Sequence, residues 1–565
     1  MQKLRGLFVI LFSFVMSCVP LLSQADQAGQ CEIRNGSVQI YISDSHIGTG
    51  GRCEGQGCRD GWHNMEDFRW HEDFRQFISF LEGKISKPID LVMVGDSFEL
   101  WQDMAGIPCK DDGQRSNFGC NVEQAKKRVE KVGEKHGEIF KILSDFVGPD
   151  KDNKIIMLPG NHDAALAMNS VADTVKDQFT EASRDNVCVD EDGMIFANGI
   201  FVEHGHQLEG DMNRYDEPLN GTIECINSAG KAVNCNDNDA FVRRSWGENF
   251  VQNYFNKYED LFPVIDNYAT EGAGVPDGVQ RGFKASSLSK KSSAVLGFLS
   301  FLFTKQTLAH LGDVLTADQE GVTAICRDEN DKKCIDLKTM SEWPINHKIF
   351  SQLPDEDKRK KTLELIFDTE NNPDAKLKDI YAQYAPEDAS KLDTLLIATC
   401  LYWAEENGDV RCAYDKETLG TSGTKIKQWI KGVIDSDYDK VVDHINHREK
   451  QFDKDFKYFI YGHTHFAEQE EKSGKTILNT GAWQRVTDPD GIKDIIKNKC
   501  EGLSEKDCFK TMTPDKLTPC YSFAASELGS YTAPTLFWWA LVPGSNNKLW
   551  WFKDGNQPSS CKFQR

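Results

Sequence analysis

The sequence predicts an α/β fold interrupted by a long, mainly helical insertion, and three observations carry that prediction. Short apolar runs alternate with helical periodicity from Ser37 to about Asp211. The same strand pattern returns after Asp453, and between the two regions strand signals fade. At 565 residues the chain exceeds what one compact core usually holds, which fits two domains or one domain carrying an insertion.

Taken in order, Val38-Gln39-Ile40-Tyr41-Ile42 is a short strand-like run that ends at Ser43-Asp44-Ser45-His46. A helix is expected next, with Phe68, Phe74, Phe77, Ile78 and Leu81 on one face. Leu91 to Val94 reads as a buried strand ending at Gly95-Asp96, followed by one long helix carrying Val122, Val129, Val132, Ile139, Phe140 and Leu143. Ile155 to Leu158 ends at Gly160-Asn161-His162-Asp163, and Ile200 to Val202 ends at His204-Gly205-His206. Downstream, Tyr458 to Tyr461 leads into Gly462-His463-Thr464-His465, and Thr476 to Leu478 into Asn479-Thr480-Gly481. Thr535 to Val542 and Leu549 to Phe552 form a closing hairpin. Each polar cluster follows the end of a strand, where open α/β sheets place their ligands.

Between these halves, Phe250, Tyr254, Phe255, Tyr258, Leu261 and Phe262 mark a helical face, and Lys425 to Phe452 is a long charged helical stretch. The expected organisation is a leader over 1–25, a core in two parts over 26–210 and 454–565, and a mainly helical cap over 211–453. The leader is read from Lys3 and Arg5, the apolar run Leu7 to Leu22, and the small residues of Ser23-Gln24-Ala25. It implies a secreted or periplasmic protein.

Cysteine usage agrees with export. Setting Cys18 aside with the leader leaves sixteen of seventeen cysteines, too many for a typical cytosolic enzyme. Close pairs are Cys53/Cys58, Cys109/Cys120, Cys225/Cys235, Cys326/Cys334, Cys400/Cys412 and Cys500/Cys508, with Cys520–Cys561 a longer bridge. No Cys-x-x-Cys occurs, so loop-stapling disulfides are expected in place of structural zinc. The formal charge of −22 argues against nucleic acid as a partner, because its phosphates would be repelled over most of the surface. A small phosphorylated substrate stays compatible, since bound cations dominate the field inside a site.

The strand-end clusters carry chemistry. Asp44 and His46 flank one residue, so both can turn to the same side. Asp96 offers a carboxylate able to bridge two ions, Asn161 a neutral oxygen, and His204, His463 and His465 further imidazoles. That mixed oxygen and nitrogen set suits two divalent or mixed-valence ions of manganese, iron or zinc better than calcium. His162 is placed to protonate a leaving oxygen, with Asp163 orienting its ring. Arg214, Arg243 and Arg244 are candidates for phosphate contact, while His444 and His447 fit a solvated helical face.

Asp44-x-His46, Gly95-Asp96, Gly160-Asn161-His162-Asp163, His204-Gly205 and Gly462-His463-x-His465 together resemble the calcineurin-like metallophosphoesterase superfamily. Gly95-Asp96-Ser97-Phe98-Glu99-Leu100-Trp101 and Asn479-Thr480-Gly481-Ala482-Trp483 are most similar to its branch of UDP-diacylglucosamine pyrophosphohydrolases. The resemblance covers the core on both sides of the insertion but not the insertion, and it implies a two-sheet α/β sandwich with a dinuclear site. It also implies that Asp44, His46, Asp96 and His465 hold one metal, and Asp96, Asn161, His204 and His463 the other. His204 rather than His206 aligns with the ligand. A Tyr where Glu99 stands would have pointed to a purple acid phosphatase.

The implied activity is hydrolysis of a phosphoester or pyrophosphate by a hydroxide shared between the metals. The rival reading is a secreted, metal-loaded binding or envelope protein with little turnover. The expected partner is a phosphorylated small molecule or lipid-like substrate. The apolar cap run Ala294 to Phe303, preceded by Lys284, Lys290 and Lys291, reads first as a buried cap helix and second as an edge for peripheral membrane contact.

Overall fold

With short breaks, the computed structural model describes residues 31–102, 118–208, 213–269 and 438–563. The leader, the cap run at 294–303, Phe250, Tyr254, Phe255, Leu261 and Phe262 of the expected helical face, and the cysteines at 109, 326, 334, 400 and 412 lie outside the described residues.

Two sheets dominate. The seven-stranded sheet runs in the order Leu549–Lys553, Thr535–Leu541, Cys520–Ala525, Val38–Ile42, Ile89–Val94, Lys154–Leu158 and Val187–Val189. Its last four strands are mutually parallel, and the Cys520–Ala525 strand joins Val38–Ile42 antiparallel. The five-stranded sheet runs Glu468–Lys472, Lys475–Asn479, Tyr458–Tyr461, Ile200–Glu203 and Met194–Ala197. Tyr458–Tyr461 is parallel to both of its neighbours.

Side-chain alternation shows how the sheets stack. Tyr41, Val92, Val94, Ile156 and Leu158 of the first sheet share one buried cluster with Ile195, Val202, Ile460 and Leu478 of the second. The opposite face of the first sheet, with Ile40, Ile42, Leu91, Met93, Ile155 and Met157, packs on helical residues such as Phe74, Phe77, Leu81, Val129 and Leu143. The outer face of the second sheet, through Phe201, Phe459, Tyr461 and Ile477, covers Val441 and Ile445 of the helix Tyr438–Phe452. The layers are therefore helix, sheet, sheet, helix. Both central strands are apolar on both faces because both faces are covered.

Several elements differ from expectation. The first helix begins at His71, so Phe68 lies in the preceding loop, although it is still buried. The expected long helix is two helices, Val122–Lys135 and Gly137–Phe146, broken at His136. Apolar spacing runs on through the break because Val132 and Ile139 both reach the same core. The described start of the expected helical cap is β-structure: Cys225–Ile226, Ala232–Val233 and Phe241–Arg243 form a four-stranded sheet with Phe118–Asn121. Strands of two or three residues are too short to show alternation. Glu468–Lys472 is an edge strand with the sequence EQEEK, charged and largely solvent-facing, and it left no apolar signal.

Cys53–Cys58, Cys225–Cys235, Cys500–Cys508 and Cys520–Cys561 are bonded as expected. Cys31–Cys188 is an addition, spanning 157 positions and tying the start of the described chain to the edge of the first sheet. Among the described residues no helix is long and apolar enough to cross a membrane.

Candidate metal centre

All the motifs reach one place because the sandwich brings the C-terminal ends of its parallel strands together. Asp44 and His46 follow Val38–Ile42, Asp96 follows Ile89–Val94, and Asn161 follows Lys154–Leu158 in the first sheet. His204 follows Ile200–Glu203, and His463 and His465 follow Tyr458–Tyr461 in the second.

The chain bends sharply there. Nine described non-glycine residues have positive φ, and five are Asp44 (51°), His46 (45°), Asp96 (48°), His463 (73°) and His465 (57°). Left-handed backbone at such residues costs about 1–3 kcal/mol each, and it persists where surroundings over-determine it. Here the loops are laced together. Asp44 N–H donates to the Gly95 carbonyl at 3.2 Å and His46 N–H to the Asp96 carbonyl at 3.0 Å. Across the two sheets, His463 N–H donates to Asp44 Oδ2 at 2.9 Å. Gly462 permits this approach, since a Cβ there would strike Ser43 and Asp44.

The donors then converge. Asp44 Oδ1 lies 3.9 Å from Nε2 of His46, 3.9 Å from Nε2 of His204 and 3.6 Å from Nε2 of His465. These separations are too long for hydrogen bonds, but they suit donors each about 2.1 Å from a metal ion lying among them. Asp44, His46 and His465 form one buried group able to hold a metal ion, and Asp96, His204 and His463 form another. Asn161 Oδ1 and Asp96 Oδ2 lie 3.1 and 2.9 Å from His204 Nε2.

Tautomers test the fit. His204 Nδ1–H donates to the Val94 carbonyl at 2.8 Å, which leaves a lone pair on Nε2. In the neutral ring that lone pair would face the Asp96 carboxylate and the Asn161 oxygen, an arrangement that repels unless a proton or a metal cation sits among them. His46 is oriented alike, with Nδ1 on Glu99 Oε2 at 3.1 Å and Nε2 turned to His465 Nε2 at 3.1 Å. Against burial, the Asp96 and Asp44 carboxylates push His204 up to about 9. Also against burial, the hydrogen bond that His46 donates to Glu99 pushes His46 up to about 9. The centre demands positive charge, and metal ions satisfy that demand.

His206 stands apart. It turns Nε2 to the Thr222 carbonyl at 2.9 Å, and burial with the neighbouring His204 charge lowers it to about 3. His204 is the residue among the donors.

The carboxylate expected to orient His162 is a different one. Asp163 accepts backbone N–H groups from Ser97 at 2.8 Å, Phe98 at 3.1 Å, Asp96 at 3.2 Å and Gly160 at 2.6 Å. It fastens the Asp96 loop to the Asn161 loop, and its four donors come from the backbone. Glu99 takes the expected role: its Oε2 bonds Nδ1 of His162 as well as Nδ1 of His46. Trp101 N–H fixes the other oxygen at 2.7 Å, and the Trp101 indole stacks on His162 with centroids 3.8 Å apart. Against burial, the His162 and His46 imidazoles lower Glu99 to about 2. The signal available in the sequence was a lone carboxylate inside the apolar run Phe98-Glu99-Leu100-Trp101.

The cap arginines are engaged elsewhere or exposed. Arg243 pairs with Glu224 at 2.6 Å, Arg244 faces Glu248 at 3.4 Å, and Arg214 is exposed. His444, expected on a solvated face, bonds the buried Glu203 together with Arg448. Comparison with family profiles, curated proteins and solved structures finds no match. The donor geometry thus stands on its own: the chain carries a buried histidine and carboxylate cluster that can hold metal ions.

Proposed function

We propose that the chain is a secreted or periplasmic hydrolase of phosphoester or pyrophosphate bonds, working with two divalent or mixed-valence ions of manganese, iron or zinc. One observation carries the reading. Two adjacent donor groups, Asp44/His46/His465 and Asp96/His204/His463, are buried side by side with His162 at their edge. By this reading Asp96 is shared between the ions and Asn161 completes the second set. The ions would supply Lewis-acid charge at phosphorus and a water activated near neutral pH.

The chain's own residues do the rest. Glu99 holds His162 through Nδ1 and so orients its ring, and by this reading His162 serves the leaving oxygen as donor. The stacked indole of Trp101 fixes the ring plane and excludes water from one face. The resemblance of the motifs to calcineurin-like metallophosphoesterases supports the same reaction class. The substrate that fits the charge of −22 is a small phosphorylated molecule or lipid-like phosphate, not a nucleic acid.

The test is metal analysis of purified protein together with assays on a chromogenic phosphomonoester, a diester and a pyrophosphate. Bound transition metal with turnover of at least one substrate is expected. Bound metal without turnover of any would favour the binding-protein reading, and no metal would overturn both.

A further inference from the structure

His162 leans on a short segment that is itself gripped by two distant elements. The His162 ring stacks on the Trp101 indole, Glu99 bonds its Nδ1, and its carbonyl accepts Leu100 N–H at 3.3 Å. Trp101 N–H reaches the second Glu99 oxygen at 2.7 Å. Imidazole, carboxylate and indole thus close a ring, and the planes of the two aromatic groups are set together.

Leu100, Trp101 and Gln102 are all buried, so their carbonyls need donors from within the protein. Side chains supply them. Arg128, buried in the helix Val122–Lys135, donates through Nη1 to the Leu100 carbonyl and, at 2.7 Å, to that of Gln102. Asn256, in the short helix Asn256–Glu259, donates through Nδ2 to the Trp101 carbonyl between them at 3.1 Å. Gln102 Nε2 bonds Glu259 Oε1 of that same helix at 3.1 Å, Asp67 Oδ2 at 3.1 Å and the Met65 carbonyl. The Leu100 and Trp101 carbonyls belong to the two peptide planes that flank the Trp101 Cα. With both planes held, the direction of the Cα–Cβ bond is fixed, and little freedom is left to the indole.

We propose that Arg128 and Asn256 are positioning residues for the hydrolysis: they fix the peptide planes beside Trp101 and, through its indole, align His162 with the leaving group. The proposal rests on the reading of His162 as donor to the leaving oxygen. Both residues act through Trp101. Asn256 lies 155 positions beyond Trp101, in the region between the two parts of the core. Residues outside those two parts therefore reach the reacting group.

The experiment uses the full purified chain and its Asn256→Leu and Arg128→Lys variants. Asn256→Leu keeps the size of the side chain and removes the donor. Arg128→Lys keeps the charge and loses the planar guanidinium that serves two carbonyls. kcat and KM are measured over phosphoesters with leaving groups of rising pKa, alongside bound metal. Each variant should lower kcat about tenfold for poor leaving groups, less than the roughly hundredfold that a displacement of about 1 Å can cause. The loss should shrink for good leaving groups, which need no donor, while KM and bound metal stay at the parent's values. Trp101 emission is read as the difference between each protein and the same protein carrying Trp101→Phe. An imidazole packed on an indole quenches it, so the Trp101 signal should rise in both variants. A uniform loss over the leaving-group series, a parent-like kcat, or unchanged Trp101 emission would overturn the positioning role. If no phosphoester is turned over, the reading of the site fails, and the emission difference alone decides whether these residues hold the indole on His162. Should Arg128→Lys not fold, Asn256→Leu carries the test.

Discussion

The two sheets contribute unlike halves to the candidate metal centre. Loops of the seven-stranded sheet bring Asp44, Asp96 and Asn161, with His46 the one imidazole. Loops of the five-stranded sheet bring imidazoles alone, His204, His463 and His465. The oxygen half is further supported from behind, since Glu99 and Asp163 both serve its loops. The nitrogen half leans on backbone carbonyls and on the first sheet's own carboxylates, as with His204 on Val94 and the His463 N–H on Asp44. Neither half is a site. Carboxylates without imidazoles repel one another, and imidazoles without carboxylates lose their charge on burial.

The sharpest way to break this comparison is to remove the carboxylate proposed to serve both groups. Asp96→Ala should eliminate at least one bound metal and lower turnover about a thousandfold or more, the scale of several kcal/mol of charge stabilisation. Wild-type turnover in a folded, metal-replete Asp96→Ala protein would remove the site assignment.

On the imidazole side, His204→Ala should strip metal from its group. His206→Ala should keep its metal, because His206 is spent on the Thr222 carbonyl. Elemental analysis of the two proteins side by side decides this, and equal loss in both would refute the distinction.

The support behind the oxygen half is probed by Glu99→Gln, expected to slow hydrolysis and weaken metal affinity about 10–100-fold. Asp163→Asn should instead lower the melting midpoint with a smaller effect on rate. Reversed outcomes would return the orienting role to Asp163.

The smallest effect belongs to the helix Tyr438–Phe452. Against burial, His444 and Arg448 lower Glu203 to about 2. A carboxylate lowered on folding adds stability above its unfolded value, and that stability is lost as pH falls toward 2. His444→Gln should therefore cost about 1–3 kcal/mol at neutral pH, measured by denaturant unfolding, with the gap closing in acid. A gap that widens in acid would contradict the pairing.

Much of the core was legible. The strands Val38–Ile42, Lys154–Leu158, Ile200–Glu203 and Tyr458–Tyr461 announce themselves as apolar runs because both of their faces are covered. Helix boundaries were less so. Periodicity reports which side of a segment is apolar, and the break at His136 leaves that side unchanged. The Cys520–Ala525 strand, with its small and mixed residues, left no pattern although it lies inside the first sheet and is wholly buried.

By itself, the sequence determined the candidate donor types, their placement at strand ends and the disulfides that close short loops such as Cys53–Cys58. These are local properties, written in runs, turns and spacings. Only the tertiary structure decided that Glu99 rather than Asp163 holds His162 and that Cys31 joins Cys188. Each of those choices depends on which polar groups meet once two sheets stack and their loops cross. His463 and Asp44 are 419 positions apart in the chain and 2.9 Å apart in the fold. No local pattern encodes that meeting, because it is set by the packing of apolar faces that carry no information about the loops above them.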